Sequence, residues 1–112
     1  MYVSLNELRH RVKILRPVTT VDEEGNLIED GWTAIAMVWA KVLPYAAKIS
    51  NGYAEKVDEV NYRVVIRYRE DILMTDILEW RGKALAMSAP PYPLDGLRKY
   101  LVMEAKELVE DG

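Results

Sequence analysis

The sequence predicts an all-β fold, a small antiparallel β-barrel of about six to seven strands with one long loop and at most a short N-terminal helical turn. Two observations carry that prediction. First, residues 61–69 read Asn-Tyr-Arg-Val-Val-Ile-Arg-Tyr-Arg, with Tyr62, Val64, Ile66 and Tyr68 on one parity and Arg63, Val65, Arg67 and Arg69 on the other. An extended backbone sends successive side chains to opposite faces, so this stretch has one apolar face and one largely cationic face. A helix would scatter the same residues around its circumference. Second, similar alternating segments recur along the chain, separated by turn residues, and the chain shows no internal repeat. Residues 61–69 are read as the central strand.

In chain order, Ser4-Leu5-Asn6-Glu7 fits a capping box that starts one helical turn, with Leu5 and Leu8 facing inward. The first strand covers Arg9 to Arg16, with Val12 and Ile14 on one face and Arg11 and Lys13 on the other. Pro17 points to an edge or a bulge at its far end, and Val18-Thr19-Thr20-Val21 continues the extended chain. Asp22-Glu23-Glu24-Gly25-Asn26 is a turn in which Gly25 or Asn26 takes positive φ. The return strand is loosened at Asp30-Gly31 by a bulge. It then places Val38, Ala40 and Val42 opposite Trp39 and Lys41, and Pro44 is expected to end it. Residues 45–59 break the alternation. Ala46, Ile49, Tyr53 and Val57 hint at a helix, but Ser50-Asn51-Gly52 interrupts it, and a mid-helix glycine costs about 1 kcal/mol. The segment is read as a mobile loop that orders against a partner. Ile77–Trp80, Arg81-Gly82 and Lys83–Met87 form a tight hairpin. The stretch from Ala89 to Gly96, with three prolines, is expected to be irregular. Leu97–Ala105 is the closing strand, with Leu101, Met103 and Ala105 on one face and Tyr100, Val102 and Glu104 on the other. Residues 107–112 read as a frayed acidic tail.

A chain of 112 residues suits a single domain. A hydrophobic content of 50% with 29% charged residues is a globular balance. The net charge of −3 supplies no overall attraction to nucleic acid or to an anionic membrane. No apolar run approaches the ~20 residues of a membrane span, and no signal peptide is legible. The expected starting compartment is the cytoplasm. Cysteine is absent, which excludes disulfides, thiolate metal sites and a cysteine nucleophile. With seven tyrosines, three tryptophans and no phenylalanine, the aromatic surface is amphipathic, a bias found where proteins meet partners.

Chemical signals are sparse. His10, the sole histidine, lies between two arginines without a nucleophile or acidic partner at recognisable spacing, so an ordinary strand position outweighs a catalytic one. Asp22, Glu23 and Glu24 offer hard oxygen ligands, but no calcium-loop pattern follows, and a solvated hairpin tip is the better reading. The cationic face of Arg63, Arg67 and Arg69 is the strongest candidate. Tyr62 and Tyr68 lie on the opposite parity, which weakens a single-strand-binding reading because stacking platforms and cations must share a face. No catalytic, metal or cofactor site is assigned.

The pattern resembles the head–tail joining, or head-closure, proteins of long-tailed bacteriophages and prophages, also described as stopper or head–tail adaptor proteins. The resemblance runs from about Leu8 to Glu107. It rests on Leu8-Arg9-His10-Arg11-Val12, on Asp22 with Gly25 and Trp32, and on Val38-Trp39-Ala40-Lys41-Val42-Leu43-Pro44. The stretch from Tyr62 to Arg69, Gly82-Lys83, and the alternating Leu101, Met103, Ala105 and Glu107 complete it. Leu85 and Met103 stand where members often carry an aromatic residue and a cysteine, and Pro90-Pro91 makes the last connection unusual.

The resemblance implies a non-enzymatic virion protein at the head–tail interface, present in the host cytoplasm before assembly. It implies a monomer when free that forms a ring, in many members a dodecamer, below the portal and its adaptor. The implied partners are other copies, the portal adaptor or connector, and a tail terminator or tail-completion protein, with packaged DNA nearby and no membrane. In that setting Lys48, Ile49, Asn51, Gly52, Tyr53 and Lys56 form the loop that reaches the channel or a neighbour. Complementary charge between Arg63, Arg67, Arg69 and Asp22, Glu23, Glu24 fixes the register between subunits. The rival reading is a small oligonucleotide-binding barrel, which a salt-dependent affinity of the monomer for DNA would distinguish.

Overall fold

The computed structural model describes residues 4–50 and 55–108, with side chains outside residues 5, 29–30, 45–50 and 55–59. A 3-10 turn at Leu5–Glu7 leads into seven strands: β1 (His10–Val21), β2 (Leu27–Ser50), β3 (Glu55–Arg67), β4 (Ile77–Trp80), β5 (Lys83–Met87), β6 (Tyr92–Pro93) and β7 (Tyr100–Glu107). All pairings are antiparallel. β3 pairs with β2 on one side and β7 on the other, so six strands close in the order β1-β2-β3-β7-β5-β4, with β6 added outside on β7. Closure leaves no free edge within the barrel wall.

The expected faces are those observed. Tyr62, Val64 and Ile66 join Val12, Ile14, Ala40, Val42, Leu78, Leu85, Leu101, Met103 and Ala105 in the interior, and Tyr68 packs against them. Each fully buried large aliphatic side chain here, such as Ile14, Ile66 or Leu85, contributes roughly 1.5–3 kcal/mol by leaving water. A smaller cluster lies on the outside, where Leu8 covers Val65, Tyr100 and Val102. The N-terminal turn is held there by half of the expected capping box: the Ser4 N–H donates to the Glu7 carboxylate at 2.9 Å. Lys41 Nζ donates to the same carboxylate at 3.3 Å.

The first hairpin follows the sequence reading closely. Register shifts fall between Ile14 and Leu15 and between Pro17 and Thr19, as expected from a proline that cannot donate to the ladder. Thr19 pairs with Glu29 and Pro17 with Trp32, which leaves Asp30 and Gly31 bulged, with Gly31 at φ 78. In the Ile77–Met87 hairpin both Arg81 (φ 50) and Gly82 (φ 76) are left-handed, the geometry of a two-residue type I′ connection.

Several expectations need correction. Pro44 does not end β2, which continues to Ser50. β1 stops pairing at His10–Ala40, so beyond it β2 has a neighbour only in β3, and a proline is tolerated where one side of a strand is unpaired. Residues 45–50 and 55–59, expected within a loop, are paired strand, from Tyr45 opposite Asn61 to Ser50 opposite Glu55. The ladder running out of the barrel supplies the backbone partners that local spacing did not reveal. Residues 51–54 lie outside the described residues. Finally, the proline-rich connection is not wholly irregular: Tyr92 and Pro93 pair with Val102 and Leu101, and a 3-10 turn follows at Leu94–Gly96. Because Leu97 caps that turn, the closing strand begins at Tyr100 and not at Leu97, and it runs through Glu107, which pairs with Leu85 and so is not part of a frayed tail.

Two hairpin arms therefore leave the barrel, one at the β1–β2 end and one at the β2–β3 end. Their reach explains a radius of gyration of 16.3 Å, above the ~13 Å of a compact domain this long.

Candidate functional site

The surface with most to offer a partner lies on the outer face of β1, β2 and β3. Arg11 is opposite Trp39 and Lys13 opposite Met37. The Arg11 guanidinium stacks over the Trp39 ring, 4.6 Å from its centroid. Arg67 stands on the other side of the same row, and a groove lined by Leu8, Met37, Val38, Trp39, Arg67 and Arg69 opens there. Met37 and Trp39 remain about half exposed, at 48% and 52%. Large apolar side chains held in water between cations are a partner-binding composition. Composition hinted at an amphipathic aromatic surface, but nothing in the alternation alone said that Trp39 stays uncovered.

The arginines chosen from the sequence differ in what they do. Arg63 Nε donates to Glu104 Oε1 at 2.8 Å. Arg69 makes a two-pronged pair with Asp71, at 2.8 and 2.7 Å. That hydrogen bonding holds the Asp71 carboxyl below its ordinary range and the Arg69 guanidinium above its own. Arg67 is exposed and makes no hydrogen bond or ion pair among the described residues. It also lines a second cleft with Tyr68, Arg98, Lys99 and Tyr100.

On the opposing acidic set, Asp22 is engaged within its own turn, where Oδ1 accepts from the Glu24 and Asn26 N–H groups at 2.9 and 2.7 Å. Glu23 and Glu24 are exposed at the tip of the β1–β2 arm. The structure therefore places the acidic tip and the arginines on different parts of one chain. Lys48 opposite Val57, and Ile49 opposite Lys56, lie near the end of the other arm. Asn51, Gly52 and Tyr53 fall outside the described residues.

One polar feature was missed by sequence reasoning. Asp76 is completely buried, and its carboxylate accepts from Arg16 Nε at 2.9 Å, from Arg16 Nη2 at 3.0 Å and from the Leu73 N–H at 2.9 Å. Arg16 Nη2 also donates to the Asp71 carbonyl at 2.7 Å, tying the 71–76 connection to β1. A separation of 60 residues gives a sequence reader no signal for this pair. His10 packs edge-on against Trp80, with ring centroids 5.5 Å apart, and Trp80 meets Tyr62 at 5.6 Å. His10 is thus a packed strand residue. Among the described residues, no three His, Cys, Asp or Glu side chains converge on a metal-sized site.

The described residues thus form a closed six-stranded barrel with two projecting hairpins and an uncovered cationic–aromatic face. The sequence matches the family of phage head completion proteins over residues 3–108, and the chain belongs to that family. It is a structural component of the phage head. Among solved structures it is similar to protein SF1141 from Shigella flexneri 2a, at 25% identity and a TM-score of 0.73, over 97% of this chain and 100% of that one. A chain of a native gene transfer agent virion shares the fold at 17% identity and a TM-score of 0.65, over 91% of this chain and 96% of that one. No curated protein matches.

Proposed function

We propose that this protein completes the head by forming a ring of copies below the portal and its adaptor, where it closes the channel on packaged DNA and offers the surface to which the tail attaches. The observation that carries this reading is the division of the chain into a barrel with its own core and two arms that leave it. The barrel buries its apolar side chains without help from another chain, so the free protein is a stable monomer. The arms run beyond the barrel wall, and Val21, Leu27 and Ile28 of the β1–β2 arm are exposed to neighbours. Family membership sets the context, and the gene transfer agent virion provides a similar fold within a particle.

In the ring, the β2–β3 arm with Lys48, Ile49, Asn51, Gly52, Tyr53 and Lys56 reaches the channel or the adjacent subunit. Arg67 and the exposed carboxylates Glu23 and Glu24 contribute charge between copies, while Arg63, Arg69 and Asp22 shape the surface around them. The work is done by binding, repeated around a symmetry axis so that modest contacts add up. Particles assembled without this protein are expected to fill with DNA, lose it, and fail to join tails. Purified protein added to such heads restores tail joining; heads that retain DNA and join tails in its absence contradict the proposal.

A second reading, a small barrel that binds single-stranded oligonucleotides, is favoured by the cleft of Arg67, Tyr68, Arg98, Lys99 and Tyr100, where cations and aromatic rings share one site. Titration of the monomer with oligonucleotides at two salt concentrations decides it. A steeply salt-dependent affinity supports this reading, and absence of binding removes it.

A further inference from the structure

We propose that the tip of the β1–β2 arm of one copy docks into the Leu8–Trp39–Arg67 groove of the next, making a head-to-tail contact between copies. The inference rests on the ring reading only for its closure; the contact itself follows from the two surfaces. The arm is apolar and exposed: Val21 is 63% exposed, Leu27 76% and Ile28 44%. It is also acidic throughout. Between Arg16 and Lys41 the chain carries Asp22, Glu23, Glu24, Glu29 and Asp30 and no lysine, arginine or histidine. The groove has the opposite character on an equally apolar floor, with Met37, Val38, Trp39 and Leu8 flanked by Arg67 and Arg69. Arg11 stacked on Trp39 adds a further cation at its edge. Arg67, without an ion pair of its own among the described residues, is the cation best placed to meet Glu23 or Glu24.

The arm cannot fill the groove of its own chain. Leu27 and Met37 lie on the same strand, ten positions apart, and an extended strand advances about 3.3 Å per residue, so the two sites are held roughly 30 Å from each other. A tip and a groove on one rigid strand, complementary to each other and unable to meet, must pair between molecules. Such a contact uses different patches on the two copies. It therefore leaves a joined pair with one free tip on one copy and one free groove on the other, and repetition closes as a ring or runs on as an open chain.

The test exploits the chain's lack of cysteine. A protein carrying Leu27→Cys and Met37→Cys is oxidised at high concentration beside a control carrying Leu27→Cys and Leu73→Cys, whose second site is equally exposed but outside the groove. The expected result is a ladder of cross-linked multimers from the first protein, forming at least tenfold faster than any from the control. Equal rates overturn the proposal. Charge reversal gives an independent reading: added to the Leu27→Cys, Met37→Cys protein, Glu24→Arg and Arg67→Glu each slow the cross-linking alone, and an equimolar mixture of the two restores its rate, because each tip then meets a groove of opposite sign. A mixture that cross-links no faster than either variant overturns the contact. Electron microscopy of the Leu27→Cys, Met37→Cys protein, oxidised in the presence of its portal–adaptor complex, separates this from the ring reading. Closed rings without cross-links between positions 27 and 37 remove the docking and leave the ring; cross-linked open chains do the reverse.

Discussion

Asp76 and Arg16 show what a single buried polar pair does in a barrel this small. The carboxylate is wholly out of water while the Arg16 side chain keeps 33% of its exposure. Losing either partner leaves the other with unmet hydrogen bonds, a cost of about 2–4 kcal/mol for a pair of this kind, moderated by Arg16's access to water. Asp76→Ala and Arg16→Ala are each expected to lower stability by that order in urea unfolding, and the double variant by clearly less than the sum. Strict additivity would show that the pair is not acting as a unit. Acid sensitivity belongs to the same scale. The Ser4 N–H and then Lys41 hold the Glu7 carboxyl below its usual range, and the Arg69 hydrogen bond does the same for Asp71. Carboxyls that ionise more readily when folded contribute stability above the range in which the unfolded chain titrates, and that contribution disappears as pH falls through the folded values. Thermal unfolding between pH 7 and pH 3 should therefore show a melting temperature that declines below about pH 4–5, with a shallower decline in Asp71→Asn. A flat profile would contradict this.

Among the elements, the arms are the most informative. β2 is long because two different neighbours extend it, β1 at one end and β3 at the other. Period-two alternation in residues 10–16, 36–43, 61–69 and 100–105 made the barrel strands legible, and so did Gly25, Gly31 and Gly82 for the turns and bulge. Alternation reports a face that is buried against a core. It fades where a hairpin leaves the core, which is why residues 45–50 and 55–59 read as a loop although their backbones are paired. The interaction surface was legible only as charge: Arg67 and the 22–24 turn stood out, whereas the exposure of Trp39 depends on how far the N-terminal turn with Leu8 reaches across β2 and β3. The Asp76–Arg16 pair, joining distant segments, had no local signature at all. Replacing residues 47–59 with a two-residue Asn-Gly turn should leave the core intact, because the pairs from Ala40–Ile66 to Ala46–Val60 remain. A melting temperature within a few degrees of the parent, together with loss of head completion, is the expected outcome. Collapse of the fold would mean that the arm stabilises the barrel rather than extending from it.

For the whole molecule, closure and extension are complementary. The six strands of the barrel wall leave no free edge through which to aggregate, and in the proposed ring the contacts with other copies fall to the arms and to the outer face of β1, β2 and β3. A body that folds alone and carries its adhesive parts on projections can stay monomeric until a template aligns many copies. Electron microscopy of the protein mixed with its portal–adaptor complex tests this most directly. The expected image is a closed ring of copies coaxial with the channel, barrels forming the wall and both hairpin arms at subunit or channel contacts. Single copies bound off the axis, or no binding to the complex at all, would contradict it.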